Sequence, residues 1–356
     1  MPDIYQKLRE RLDGMSTGFP ATQAGTEIEL LKQLFTETEA ETYLALTPFQ
    51  ETPAEAARRL NRNEDELAAR MEEMAAKGQL FRFRKKDAVK YAIVPFLVGI
   101  MEFSIKRFAG NRELAKTMIR YGKQGFLQSL QSTKTPHQRP IPVNRSLAAK
   151  WPVAPYEDVV EILKHQKRIA LADCVCRTLA RTVTDRSCTK PIQNCMMFGA
   201  SADYYIENRL GREISVDEAI EITRQSDEAG LVLQPLNAQK AGALCSCCGD
   251  CCGMLQSLKM QPNPARAVQS NYYARVDAET CIGCELCIER CQMDAVKLVS
   301  EKAVIDPERC IGCGLCASKC PSGAMQLMKK TEEELYLPPE THMDMYIRMG
   351  RERGKL

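Results

Sequence analysis

The sequence predicts an α+β chain of several domains, and three observations lead there. All 17 cysteines lie at or after Cys174, so the first half of the chain has a different chemistry from the second. Helix-spaced apolar residues with capping signals fill residues 26–78, and an alternating stretch follows at 79–94. Near the C-terminus one cysteine-rich segment is written twice. A length of 356 residues accommodates two or three such units.

Composition narrows the partners. A net charge of +3 gives no global electrostatic case for nucleic acid or membrane. The start, "MPDIYQKLRERLDGM", is charged from its third residue and does not read as a secretory signal. The longest apolar stretch, 91–101, is too short to span a bilayer and contains Pro95. A cytoplasmic protein without a membrane span is expected. There thiols stay reduced, and dense cysteines point to metal or redox sites rather than disulfides.

The repeat is the strongest signal. "CIGCELCIERCQMDAVKLV" begins at Cys281 and "CIGCGLCASKCPSGAMQLM" at Cys310; each reads C-x2-C-x2-C-x3-C. Three thiolates on a tight loop wrap one face of a cubane, and Gly283 and Gly312 let the backbone turn closely. Structural zinc fits poorly, because zinc takes two C-x2-C pairs with a long spacer. Residues 272–328 resemble the two-[4Fe–4S] ferredoxin family. The resemblance implies one cluster on Cys281, Cys284, Cys287 and Cys320 and a second on Cys310, Cys313, Cys316 and Cys291, since the fourth cysteine of each run serves the other cluster. Between the halves, "VKLVSEKAVID" reads as a hairpin of 296–299 and 303–305. One departure is visible: Pro321 follows the last cysteine of the second run, but Gln292 follows Cys291.

In the N-terminal third, Ile28, Leu31 and Phe35 share a helical face. Thr52, Pro53 and Glu55 make a capping box, Asn63 and Glu66 repeat the device, and Gly78 ends that helix. Phe81 and Phe83 then alternate with Arg82 and Arg84, a turn falls at 85–87, and a second strand runs over 89–94. Three helices and a hairpin form a winged-helix-like order. DNA is the less favoured partner, because the helix at 64–77 carries Glu64, Asp65, Glu66, Glu72 and Glu73. The hairpin itself is basic (Arg82, Arg84, Lys85, Lys86, Lys90), but a protein-binding or scaffolding wing is the first expectation. Residues 96–135 read as helical, and Pro136, Pro140 and Pro142 as a linker.

The middle reads as a mixed α/β, cysteine-rich unit. A strand at 169–173 leads to Cys174 and Cys176, and Cys188 and Cys195 follow in a loop-rich stretch. Ser215 and Glu218 cap a helix that Gly230 ends. A short strand, "LVLQP", precedes the dense set Cys245, Cys247, Cys248, Cys251 and Cys252. One or two further iron–sulfur clusters are the first reading of these nine cysteines; zinc and a thiol redox site are the alternatives. The last lacks a nearby base, for the only histidines are His137, His165 and His342. Neighbouring thiols in Cys247–Cys248 and Cys251–Cys252 point in different directions, so the allocation of ligands stays open. The doubled Cys-Cys-Gly resembles motifs of heterodisulfide reductase-type subunits, without their long flanking spacings. The order of these segments resembles ferredoxin-type 4Fe–4S proteins of anaerobic bacteria and archaea, which implies iron–sulfur electron transfer.

The expected layout is a winged-helix-like domain with an N-terminal helix (1–95), a helical connector and Pro-rich linker (96–144), the cysteine-rich α/β domain (145–270), a two-cluster ferredoxin-like domain (271–330) and a tail (331–356). The expected function is a single-electron relay between redox partner proteins. A redox-sensing transcription regulator and an electron-transfer or catalytic subunit of an oxidoreductase complex are the alternatives. No G-x-G-x-x-G follows a strand, so a flavin or nicotinamide belongs on another subunit.

Overall fold

The computed structural model describes residues 3–85, 88–143, 146, 153–184 and 188–356. Helices α1 (Ile4–Asp13), α2 (Thr26–Leu34), α3 (Glu37–Ala45), α4 (Pro53–Leu60) and α5 (Glu64–Ala76) precede a hairpin of β1 (Leu80–Lys85) and β2 (Ala88–Ile93). The Thr52–Glu55 box closes in both directions, and the Asn63 side chain accepts from the Glu66 amide. Helix α3 is additional to the expected elements. A second reciprocal box, Thr36 with Glu39, starts it, and Ala40 and Tyr43 bury it. Of the expected turn, Lys86 and Asp87 lie outside the described residues, as does the boundary at 144–145.

The hairpin is an internal joint. Phe81 stacks on Tyr204 with ring centroids 5.0 Å apart, and the Tyr204 hydroxyl donates to the Ala75 carbonyl at 2.6 Å. Arg82 is buried and pairs with both Glu72 of α5 and Glu207; Arg84 pairs with the same two carboxylates. Two of the hairpin's cations are therefore neutralised by acids from the helix and from the middle of the chain.

Leu97, Val98 and Gly99 have non-helical backbone, and helical turns run only from Met101 to Ser129, among them Ile105–Gly110 and Arg112–Tyr121, so the helical stretch expected over 96–135 is shortened at both ends. The Pro-rich stretch is not an exposed linker. His137, Arg139, Ile141 and Val143 are buried, and Gln138 and Ile141 bridge to Leu236 and Leu233 in antiparallel fashion. Its apolar side chains belong to the same core as the N-terminal helices.

The middle of the chain is a five-stranded antiparallel sheet. Strands β3 (Ile169–Asp173), β4 (Gln193–Phe198), β5 (Gly211–Ile214), β6 (Val232–Pro235) and β7 (Ala243–Cys247) pair in the order β5-β3-β4-β7-β6. Strands β3 and β6 stand where the sequence predicts. The first half of the dense cysteine stretch, expected after the last strand, is itself strand β7. The helix Val216–Glu228 packs across β3, β4 and β6. Ser215 caps it, but Glu218 turns to Arg212 on β5 instead of closing the box.

The repeat folds as two antiparallel pairs, β8 (Tyr272–Val276) with β11 (Met325–Lys329) and β9 (Val296–Val299) with β10 (Lys302–Ile305). The tail returns along the molecule. Its last helix, His342–Glu352, leads to Arg353 and Lys355, which pair with Asp13 at 3.0 and 3.2 Å. Among the described residues no helix is long and apolar enough to cross a membrane.

Replacing Arg82 by Ala removes the buried one of the two cations shared by Glu72 and Glu207 and leaves the half-exposed Arg84 alone to pair with both. A loss on the order of 2 kcal/mol is expected, read as a lower denaturant midpoint with the hairpin aromatics more exposed.

Candidate metal centres

The repeat brings its cysteines together in exchanged sets. Cys281, Cys284, Cys287 and Cys320 line one pocket with Val276, Leu298 and Met325. Cys316 lies among Cys313, Cys310 and Cys291, with Cys287 next to it. Backbone amides point at four of the sulfurs: Ala303 at Cys281 and Ala274 at Cys310, both 3.4 Å, Ala295 at Cys291, 3.2 Å, and Met325 at Cys320, 3.3 Å. Such bonds favour thiolate charge.

Gly283 and Gly312 both have φ of +67°. A Cβ would meet the Glu301 carbonyl in one loop and the Tyr272 carbonyl in the other. Close backbone approach thus demands glycine here, in addition to the turn itself.

The two sets differ in exposure. Cys284 is exposed, and the amides of Ala303 and Gly283 hold the Cys281 thiol below its ordinary range. On the inner side, burial pushes Cys310 up and Cys313 up to about 12.

The nine remaining cysteines divide into two groups. Side chains alternate along β7, so Cys245 and Cys247 share one face. A chain of thiol contacts runs Cys174–Cys176–Cys252–Cys247–Cys245–Cys195. Hydrogen bonds from Cys176 and Cys247 bring Cys252 down to about 5, and those from Cys195 and Cys247 hold Cys245 well below its usual range. Gln138 also donates to the Cys245 sulfur at 3.2 Å. The second group is Cys188, Cys248 and Cys251, with Asp250. Each doublet therefore contributes one thiol to each group. Two positions differ from the expected loops: Cys176 lies in the first turn of the helix Val175–Val183, and Cys195 lies on β4.

A cavity of about 340 Å³ adjoins these thiols, walled on the other side by Leu97, Met101, Met118, Phe126 and Leu130. Arg177 reaches it fully buried. Its Nη1 donates to Asn194 at 2.7 Å and Nη2 to the Ser246 carbonyl, while Nε has no partner. Burial opposes the guanidinium charge, but the sulfurs of Cys174, Cys248 and Cys247 outweigh it and keep the group cationic. Among the described residues no carboxylate pairs with it. Asn194 Nδ2, Ser246 Oγ and both ring nitrogens of His137 are likewise buried without partners on this cavity. Unpaired donors and an unpaired cation around thiolates fit an anionic, sulfur-rich group.

Sequence reasoning missed Arg177, Glu102, His137 and Gln138 as cavity residues; only Arg177, adjoining Cys176, carried a local signal. Glu102 accepts from the Gly99 amide at 2.8 Å, and burial pushes its carboxyl up to about 8. Burial pushes His137 down to about 4.

Gln292 has a defined place. Its Oε1 accepts from the Gly249 amide at 2.7 Å, joining the repeat to the turn between the two cysteine doublets. Lys259 pairs with Asp294 nearby at 3.0 Å, and the Val143 amide donates to the Cys313 carbonyl at 3.3 Å.

Residues 274–327 match the family model described as a 4Fe-4S dicluster domain. No curated protein and no solved structure matches the chain. The C-terminal module is therefore ferredoxin-like and of a class that binds 4Fe–4S clusters, within a chain of mixed α+β structure.

Gln292→Leu leaves the Gly249 amide without its acceptor, at a local cost of about 1–3 kcal/mol. Amide exchange across residues 248–252 is expected to speed up about tenfold or more, measured by mass spectrometry on the anaerobic protein.

Proposed function

We propose that the chain is an iron–sulfur electron-transfer protein that relays single electrons from a redox partner at its C-terminal module towards the six-thiol group in its middle. The carrying observation is the arrangement of the two exchanged sets. One opens to the surface, and the other lies against the part of the chain that holds the remaining thiols. Bound to such thiolates, 4Fe–4S clusters supply one-electron iron couples. The reading assigns one cluster to Cys281, Cys284, Cys287 and Cys320, another to Cys291, Cys310, Cys313 and Cys316, and one more to the six-thiol group.

The chain's residues set entry and exit. Ile282, Leu298 and Val299 are exposed apolar side chains beside the outer set and offer a docking face to a donor or acceptor protein. Backbone amides on four sulfurs tune the potential, and burial pushes the thiols of Cys310, Cys313 and Cys316 in the inner set up.

The pairing of Arg82 and Arg84 with Glu72 and Glu207 weighs against the winged-helix regulator, because it removes two cations from contact with phosphate. A catalytic subunit is favoured by one observation, the cavity that holds Glu102 and His137 beside the thiols. A small molecule that shifts the EPR signal of the six-thiol group would support that second reading.

Anaerobically purified protein is expected to be brown, with about twelve irons per chain, four for each of three clusters. Cys281→Ser and Cys176→Ser are each expected to abolish a different low-temperature EPR signal. Colourless protein without iron would refute the reading. Ile282→Glu is expected to slow electron exchange with a partner ferredoxin or reductase about tenfold while leaving the EPR spectrum unchanged.

A further inference from the structure

We infer that Cys188, Cys248, Cys251 and Asp250 hold a single zinc ion, distinct from the iron–sulfur ligands. All four ligand atoms lie within 4.8 Å of one another, and the sulfurs of Cys188 and Cys248 are 3.9 Å apart. A tetrahedral zinc ion with Zn–S bonds of about 2.3 Å places its sulfur ligands roughly 3.8 Å apart. The observed spacing matches one ion.

The ligand set agrees with the spacing. Three thiolates and one carboxylate complete a closed tetrahedral site for zinc. No fourth cysteine is at hand, because Cys247 and Cys252 face the six-thiol group. Arg177 lies next to Cys248 and offsets part of the negative charge of the site.

The elements that carry the ligands are anchored before any ion arrives. Arg181 donates to the carbonyls of Cys188 and Lys190 at 2.9 and 2.8 Å, and Lys190 donates to the Ala229 carbonyl at 2.6 Å. Cys248 directly follows β7, and Asp250 and Cys251 occupy the turn before the helix Gly253–Lys259. An ion here cross-links residues 60 positions apart. It also fixes the turn whose Gly249 amide meets Gln292. The ion is a structural clamp at the junction with the C-terminal module, and it carries no electrons because zinc has no redox chemistry.

The test uses the full chain, purified anaerobically with its iron. Metal analysis is expected to give about one zinc per chain, and zinc K-edge absorption about three sulfurs near 2.3 Å and one oxygen near 2.0–2.2 Å. Cys188→Ser and Asp250→Ala are each expected to lower zinc at least several-fold while iron content and cluster EPR stay unchanged. Should either variant fail to fold, cobalt exchanged into the parent protein is expected to give a thiolate-to-cobalt charge-transfer band. The inference is overturned if the parent holds no zinc and no such cobalt band, or if Cys188→Ser removes a cluster's worth of iron. Loss of the electron-transfer reading would appear separately, as missing iron with zinc retained.

Discussion

A buried positive charge organises the centre of the molecule. Arg177 is enclosed in the protein, and among the described residues it has no carboxylate partner. Desolvating a lone guanidinium costs several kcal/mol unless anionic groups surround it. Here its neighbours are sulfurs, Cys174 and Cys247 on one side and Cys248, whose thiol is held down to about 6, on the other. Asn194 of β4 and the Ser246 carbonyl of β7 hold the guanidinium in place. The adjacent strands and the helix that starts at Val175 are thus arranged around one charge, with sulfur on both sides of it.

The dicluster module is attached through the same region. Gln292 reaches the Gly249 amide, Arg290 binds Asp227 and the Ser318 hydroxyl, and Asn271 donates to the buried Glu157. These contacts come from residues next to cysteines or at the start of β8. The module is therefore oriented against the sheet by polar groups as well as by apolar packing. A proline in place of Gln292 would have no side-chain oxygen to make the first of these contacts.

Much of this was legible in the sequence because it was local. The C-x2-C-x2-C-x3-C spacing appears in space as two exchanged sets of four, and the 296–299 hairpin forms where alternation places it. The Thr52 capping box and the strand ending at Asp173 are equally local signals. The expectation that adjacent thiols diverge also matches the geometry, with Cys247 and Cys248 facing different groups. What escaped notice was non-local. Pairing of β7 with β4 and β6 turns half of a cysteine-dense stretch into a strand, although its composition suggests irregular backbone. Arg82 looks like a surface cation until Glu207 arrives, 125 residues later. His137 and Gln138 sit between prolines and read as linker, yet bridging to β6 brings them to the cavity.

The unequal exposure of the two four-thiol sets has a consequence for survival in air. Cys284 stands at the surface, whereas Cys313 and Cys316 lie deeper. Dioxygen and peroxide reach accessible, electron-rich sulfur first. Oxidative damage to the chain would therefore be ordered, beginning at the outer loop and sparing the sulfur chemistry of the interior until later. If the chain relays electrons as proposed, loss of the outermost cysteines would cut it off from its partners before the buried sulfurs are harmed.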